Sequence, residues 1–198
     1  MRQENITITL DDMLQRERIR HNSARYVRGM DRQDADLIKS TYWPEGWDDH
    51  GLFIGSGDGF AEWMRPVWPT MRMDHHLGQS YIELHGNIAN AETYFVAYHR
   101  TGKEDEQTQD MFLGGRYLDR LERRGDDWKF INRFAIYDWY RKLGDSDSWR
   151  DPWWANMDLE SRTMGKQDKD FSWEVFANGP LEMGEVLDKH NAVTKPKA

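Results

Sequence analysis

The chain has 198 residues, contains no cysteine and carries a formal net charge of -8. The lack of cysteine excludes a disulfide framework and thiolate metal sites, and the acidic charge argues against nucleic acid as a partner. No apolar run approaches the roughly 18 residues of a membrane span, and residues 1–10 lack the apolar segment of a signal peptide. We therefore expect a cytoplasmic protein without membrane contact.

Two helices are predicted at the start of the chain. The first begins near Asp11 or Asp12, either of which can serve as its N-cap. Small and apolar side chains recur at helical spacing on one of its faces, namely Ile19, Ser23, Tyr26 and Met30. A second, shorter helix is predicted over residues 35–43, capped by Asp34 and ended by Pro44.

Asp31 occupies an unusual position at the C-terminal end of the first predicted helix. The negative end of the helix macrodipole makes a carboxylate there unfavourable by a few tenths of a kcal/mol or more. A turn-forming or capping role is one explanation of this aspartate. A positively charged partner elsewhere in the fold is the other.

Strands are predicted to dominate the rest of the domain. Residues 47–56 have a strand-like core, and residues 59–71 indicate a helix broken by Pro66 and Pro69. Beyond these, apolar residues follow period two in four long segments joined by hairpin connections, at residues 74–84, 87–100, 110–124 and 127–140. Helices followed by a meander of strands predict an α+β fold, a cone of helices packed on one face of a strongly curved antiparallel sheet.

The character of the sequence changes after Lys142. The following stretch is polar and contains isolated tryptophans at positions 149, 153 and 154. Such segments more often wrap over an existing body than form a core of their own. We therefore expect a domain at residues 1–142 and a C-terminal extension at residues 143–198 that covers this domain or a neighbouring subunit.

The seven histidines show none of the spacings of a familiar metal site, so no metal is predicted. His75 and His76 stand at the head of a predicted strand and must point to opposite faces of the sheet. His76 shares parity with the apolar positions that follow, Ile82 and Leu84, so we expect His76 to point inward and His75 outward. A satisfied core histidine is the simpler alternative for an inward imidazole.

Together these side chains suggest an acid/base site inside the cone. A buried Asp31 that accepts a hydrogen bond from the imidazole of His76 would fix its tautomer and leave the second nitrogen as a base. Tyr26 could supply a hydroxyl to a substrate oxygen, and Arg116 or Arg133 could stabilise developing negative charge. Taken one at a time, each arginine is better explained as a surface or ion-paired residue.

Several motifs carry a family resemblance when taken in order. They are "YVRGMDRQD", "DHHLGQSYIEL", "AETYFVAYHR", "GGRYLDRLERRGDDWKF" and the closing "R…YDW". Their order and spacing over about residues 10–140 resemble the SnoaL-like group of the nuclear-transport-factor-two-like, or ketosteroid-isomerase-like, superfamily. This superfamily includes cofactor-independent dehydratases, a dehydrochlorinase and lyases of lignin-derived diarylpropanes, as well as non-catalytic transport factors and assembly subunits.

The resemblance implies a site made by a tyrosine and an aspartate on the first helix and a histidine on the sheet. These roles fall on Tyr26, Asp31 and His76 in this sequence. The implied activity is a cofactor-independent lyase of hydroxylated aromatic, diaryl or polycyclic molecules, as in the catabolism of aromatic compounds and lignin. The aromatic side chains expected to line the pocket are Trp43, Trp63, Trp68 and Tyr94.

Two alternatives remain open at the level of the sequence. The same base could move a proton within one steroid-like substrate, which would make the protein an isomerase. A non-catalytic ligand-binding or subunit-assembly module of the same fold is also possible. A homodimer or homotrimer is expected in each case, because the exposed face of a curved sheet usually needs to be covered.

Overall fold

The computed structural model describes residues 8–102 and 109–144. Three α-helices are present in this part of the chain, α1 (Leu10–Arg32), α2 (Ala35–Ser40) and α3 (Gly57–Met64), together with a short 3-10 helix at Trp68–Thr70. Six strands accompany them, β1 (Tyr42–Asp49), β2 (Ile54–Ser56), β3 (Met71–His85), β4 (Ile88–Thr101), β5 (Gln109–Arg124) and β6 (Asp127–Gly144). The predicted extension lies, apart from residues 143 and 144, outside the described residues.

The N-terminal helices start at side-chain caps. α1 begins after Thr9, whose hydroxyl accepts from the backbone of Asp12 while the Asp12 carboxylate accepts from the backbone of Thr9. The carboxylate of Asp34 caps α2, as predicted. α2 ends at Ser40, four residues before Pro44, because the residues after Thr41 leave the helix and join the sheet as β1.

The six strands form one mixed sheet in the order β2-β1-β6-β5-β4-β3. The long strands β3 to β6 pair as an antiparallel meander, which confirms the predicted α+β fold class. The prediction of a purely antiparallel sheet was incomplete, because β1 runs parallel to β6. That pairing joins residues 85 to 88 positions apart, such as Tyr42 with Phe130, and has no local sequence signal.

The helices pack on one face of the sheet, which we call the inner face. The predicted row on α1 is buried, with Ile19, Ser23, Tyr26 and Met30 all less than 5% exposed. From the sheet, the main apolar contributions to this core come from the buried rings of Phe95, Tyr117, Trp128 and Phe130. None of the helices in the described part of the chain combines the length and the apolar character that a membrane crossing requires.

Bulges in the long strands change which side chains reach the inner face. Three steps along β3, from Leu77 to Ser80, match only two along β4, so β3 carries one extra residue there. A second irregularity lies between Phe130 and Asn132 of β6. Each bulge reverses the alternation of side chains along its strand. Phe130 and Arg133 therefore both point inward despite their odd spacing.

Candidate active site

Asp31 and His75 form a buried pair between α1 and β3. One carboxylate oxygen, Oδ1 of Asp31, lies 2.6 Å from Nδ1 of His75. The other oxygen, Oδ2, accepts from the backbone N–H of His75 at 3.1 Å. A carboxylate can only accept, so the short contact places a proton on Nδ1 and directs Nε2 away from Asp31. Both side chains are at most 10% exposed.

The predicted orientation of the two neighbouring histidines was wrong. His76 points outward, where its side chain is 72% exposed and its Nε2 lies 3.3 Å from Asp74. The prediction counted parity backward from Ile82 and Leu84 through the bulge, which reverses the alternation. His75 shares its face with Met73 and therefore takes the place that the sequence assigned to His76.

His99 lies beside the Asp31–His75 pair on the adjacent strand β4. Its ring meets the ring of His75 edge to face, with 5.5 Å between the centroids. Burial, together with the neighbouring imidazoles of His75 and His50, lowers the pKa of His99 to about 3. Its Nε2 is buried and has no hydrogen-bond partner within the part of the chain that is described. His99 is thus a neutral imidazole in the interior.

Tyr26 belongs to a second polar group, which the sequence analysis did not identify. Its hydroxyl lies 3.3 Å from Nε2 of His50. Nδ1 of His50 in turn contacts Asp48, and the hydroxyl of Tyr42 donates to the same carboxylate. Burial and the charge of Asp48 raise the pKa of Tyr26 well above its ordinary value, so the phenol keeps its proton. The available signal was the alternation in "WDDH", which puts Asp48 and His50 on one side of the chain.

Arg133 is fully buried beneath the aromatic rings of the inner face. Its Nε and Nη2 each donate to a carboxylate oxygen of Asp119 at 2.7 Å. The guanidinium carbon lies 4.2 Å from the ring centre of Tyr26 and 4.1 Å from that of Tyr117. Burial raises the pKa of Asp119, and the positive charge of Arg133 opposes that effect. Nη1 of Arg133 is buried and unbonded among the described residues.

Arg116, the other arginine suggested by the sequence, lies on the opposite face of β5 from the buried Tyr117. Its guanidinium bonds Asp138 and Glu92 at 3.1 Å and is partly exposed. The structure therefore separates Arg116 from the Asp31–His75 pair and agrees with the simpler interpretation, a surface ion pair.

The four predicted pocket-lining aromatics occupy different surroundings. Trp68 is buried in the core, and Trp63 stacks on Phe60 with one edge exposed. Trp43 donates from its indole nitrogen to the backbone of Glu122, at the far end of β5. Tyr94 is 40% exposed on the outer face, between the inward-facing Thr93 and Phe95. Only Trp63 and Trp68 therefore remain as candidates on the helix side of the sheet.

A groove of about 430 Å³ lies on the outer face of the sheet, across strands β3 to β6. Side chains of outward parity such as Tyr81, Glu92 and Phe134 line it. It is separated by the sheet from the Asp31–His75 pair. Within residues 8–102 and 109–144, no three His, Cys, Asp or Glu side chains group closely enough to hold a metal ion.

The inner face thus brings together two Asp–His pairs, a neutral histidine and a buried arginine. The Asp31–His75 pair has the form of an acid/base catalyst, because the aspartate orients the imidazole and leaves Nε2 able to accept or donate a proton. The phenol of Tyr26 can act as a hydrogen-bond donor in the same interior.

Several solved structures have a similar fold. A candidate scytalone dehydratase from Novosphingobium aromaticivorans is 18% identical over 68% of this chain and 91% of its own, with a TM-score of 0.59. A type 3 hexachlorocyclohexane dehydrochlorinase from Novosphingobium barchaimii is 20% identical over 68% and 93%, with a TM-score of 0.59. A type 2 dehydrochlorinase is 18% identical over 69% and 94%, with a TM-score of 0.61.

These identities are low enough that the likeness concerns the fold. None of the curated protein sequences matches this chain significantly. The family model of the SnoaL-like domain, however, matches residues 11–133, which include both Asp–His pairs and the buried arginine. This match covers more than half of the sequence, and the chain therefore belongs to the SnoaL-like domain family.

Proposed function

We propose that this protein is a cofactor-independent lyase that eliminates a small fragment from a hydroxylated aromatic or polycyclic molecule. The observation that carries the proposal is the contact of both Asp31 oxygens with His75, one with the ring and one with the backbone. Such a double contact fixes both the tautomer and the direction of the imidazole, which an acid/base catalyst requires.

The proposed reaction begins with proton abstraction. Nε2 of His75 takes a proton from a substrate carbon next to an electron-withdrawing group, and Asp31 stabilises the imidazolium that forms. The electron pair of the broken C–H bond then forms a double bond while the neighbouring C–O bond breaks. When the first proton comes from a hydroxyl group instead, the O–H electron pair forms the C=O bond of a leaving aldehyde and the C–C bond breaks. The electron pair of that C–C bond then forms the double bond while the neighbouring C–O bond breaks.

The other side chains of the inner face support this chemistry. Tyr26 keeps its phenolic proton because of its burial, and can donate a hydrogen bond to the leaving oxygen. Arg133 lies against the ring of Tyr26 and is held by Asp119, so we assign it as a positioning residue. Arg116 has no part in this proposal, because it lies on the outer face.

The aromatic rings packed around His50 favour a flat substrate. Phe60 stacks on His50 with 4.4 Å between ring centroids, and Trp63 stacks on Phe60. A two-ring compound such as a lignin-derived diarylpropane would match this lining, and the names of the structural relatives, a dehydratase and two dehydrochlorinases, are those of eliminating enzymes. We propose this class as the substrate and a role in the catabolism of aromatic compounds.

We further propose a cytoplasmic homodimer or homotrimer. Large apolar side chains are exposed on the outer face of the long strands, among them Tyr81, Tyr94, Val96, Phe112 and Phe134. A second copy that covers this face would remove their apolar surface from water. Light scattering of the purified protein measures the stoichiometry directly.

The test is a panel of hydroxylated diaryl and steroid-like compounds incubated with the full-length protein and followed by mass spectrometry. A lyase releases a fragment, so the product has a lower mass than the substrate. An isomerase gives a product of unchanged mass, and a binding module gives a bound compound without turnover; either result contradicts the proposal. In an Asp31→Asn variant, kcat should fall at least about 100-fold, because the amide cannot stabilise an imidazolium as a carboxylate does.

A further inference from the structure

The second Asp–His pair, Asp48 with His50, has no role in the reaction described so far. Asp48 is fully buried, and its carboxylate contacts Nδ1 of His50 through one oxygen and the hydroxyl of Tyr42 through the other. His50 is also largely buried, and its Nε2 points to the hydroxyl of Tyr26. The four groups form one chain of hydrogen bonds from Tyr42 to Tyr26.

The fold holds this imidazole as firmly as it holds His75. The backbone N–H of His50 donates to the carbonyl of Phe53 at 2.9 Å in the turn that leads to β2. The ring is stacked on Phe60 at an angle of 23°. Asp48 itself lies in β1, where its position is fixed by the pairing of β1 with β6, in which Asp48 lies beside Arg133. A catalytic imidazole needs a fixed position and a fixed tautomer, and the buried ring of His50 has both.

The charge of Asp48 makes a purely structural role costly. A buried carboxylate must be paired or lose its charge. The buried guanidinium of Arg133, the residue that pairs with Asp48 between β1 and β6, is engaged by both oxygens of Asp119. Within the described part of the chain, the carboxylate of Asp48 pairs with the imidazole of His50. Asp48 therefore gives the ring of His50 a carboxylate partner, which neutral hydrogen-bonding residues would not supply.

Both Asp–His pairs face the same interior. His99 is close enough to His75 and to His50 that both lower its pKa. The ring of Tyr117 lies 6.1 Å from that of His50 and 6.0 Å from that of Tyr26, and its hydroxyl is influenced by the charges of Asp48 and Asp31. Thus the two imidazoles, His50 just after the end of β1 and His75 on β3, both lie near His99 on the inner face.

We propose that the Asp48–His50 pair is a second proton-transfer pair of this site, which supplies a proton to the leaving oxygen through the hydroxyl of Tyr26. The inference rests on the proposed function, the elimination reaction. It separates the two halves of that reaction, with the Asp31–His75 pair as the base and the Asp48–His50 pair as the acid.

The step balances in atoms and charge. Nε2 of His75 accepts the proton from carbon, the C–H electron pair becomes the double bond, and the C–O bond breaks. The leaving oxygen takes the proton of the Tyr26 hydroxyl, and Tyr26 takes the Nε2 proton of the His50 imidazolium. Water leaves, His75 is then charged and His50 neutral. Exchange of one proton with solvent at each imidazole restores the starting state.

The experiment compares two probes that differ only in the leaving group. One is a β-hydroxy ketone carrying two phenyl rings, and the other is its acetate ester. Elimination of hydroxide needs an acid, whereas acetate leaves as a stable anion without one. The measured quantity is kcat for formation of the shared unsaturated ketone, in the wild-type protein and in three variants, His50→Gln, Tyr26→Phe and His75→Gln.

We expect His50→Gln and Tyr26→Phe to lower the ratio of kcat for the alcohol to kcat for the ester at least about 100-fold, because only the alcohol needs the acid. His75→Gln should lower kcat for both probes, because both need the base. If His50→Gln and Tyr26→Phe lower kcat equally for both probes, or lower it for neither probe, the proposed role of the second pair is overturned. If His75→Gln leaves kcat unchanged for both probes, or if the wild-type protein acts on neither probe, the proposed function itself is wrong. The proposed role of the second pair is then wrong as well.

A measurement on the wild-type protein keeps the proposal testable if a variant does not fold. The ¹⁵N resonances of the His50 ring report which nitrogen carries the proton. The proposal requires a protonated Nδ1, donating to Asp48, in both the neutral and the charged ring. A neutral ring with its proton on Nε2 and a bare Nδ1 would overturn it, because the imidazolium would then lose its proton from Nδ1 and not from the nitrogen that faces Tyr26.

Discussion

The inner and outer faces of the sheet carry similar ionisable side chains in contrasting surroundings. Arg133 is fully buried and bonded to Asp119 through two nitrogens, while Arg116 on the neighbouring strand is also bonded to carboxylates but is partly exposed. His75 and His76 repeat this contrast within one strand. The comparison indicates that burial, rather than residue type or partner, distinguishes the candidate site from the surface.

The buried ion pair should give the largest effect on stability. Asp119→Ala leaves the guanidinium of Arg133 buried without its carboxylate, and we expect the free energy of unfolding to fall by about 3–5 kcal/mol. Urea unfolding measures this change. The matched control is Asp138→Ala, which removes a partner of Arg116 on the outer face and should leave the unfolding midpoint almost unchanged. Equal losses in the two variants would contradict the contrast between the faces.

A smaller effect is expected from His99 and depends on pH. The folded pKa of His99 is lowered to about 3 by its burial, whereas an unfolded histidine titrates near 6.5. Between these values the unfolded state binds more protons, so the stability falls as the pH decreases below about 6.5.

The measurement compares the wild-type protein with His99→Gln by urea unfolding at pH 7 and pH 5. On lowering the pH, the wild-type protein should lose about 2 kcal/mol more than the variant does, since glutamine takes up no proton. Identical losses in both proteins would mean that His99 is not held neutral in the fold. His76→Gln, on the outer face, serves as the control and should behave like the wild-type protein.

Local patterns predicted most of the fold. The buried row on α1, the Asp34 cap and the four long strands all follow from spacing or from a capping residue, which act over a few positions. The parallel pairing of β1 with β6 could not be predicted in this way, because it depends on contacts between distant segments. The end of α2 at Ser40 could not be predicted either, because it is set by the start of the same pairing at Tyr42.

The candidate site was predicted in part. Asp31 and Tyr26 lie on the buried face of α1, as its periodicity indicates, and Arg133 reaches the interior. His75 was missed because a single extra residue between Leu77 and Ser80 reverses the parity. Gly78, a glycine inside a strand pattern, was the available signal of this bulge. Asp48 and His50 were missed, although their alternate spacing within a strand-like segment was visible.

The most direct test of the account is the comparison of His75→Gln with His76→Gln in the elimination reaction. The two histidines are adjacent in sequence, so the same substitution isolates the effect of the face on which each lies. The account predicts that kcat falls at least about 100-fold in His75→Gln and stays within about threefold of wild type in His76→Gln. Loss of activity in His76→Gln with full activity in His75→Gln would contradict it.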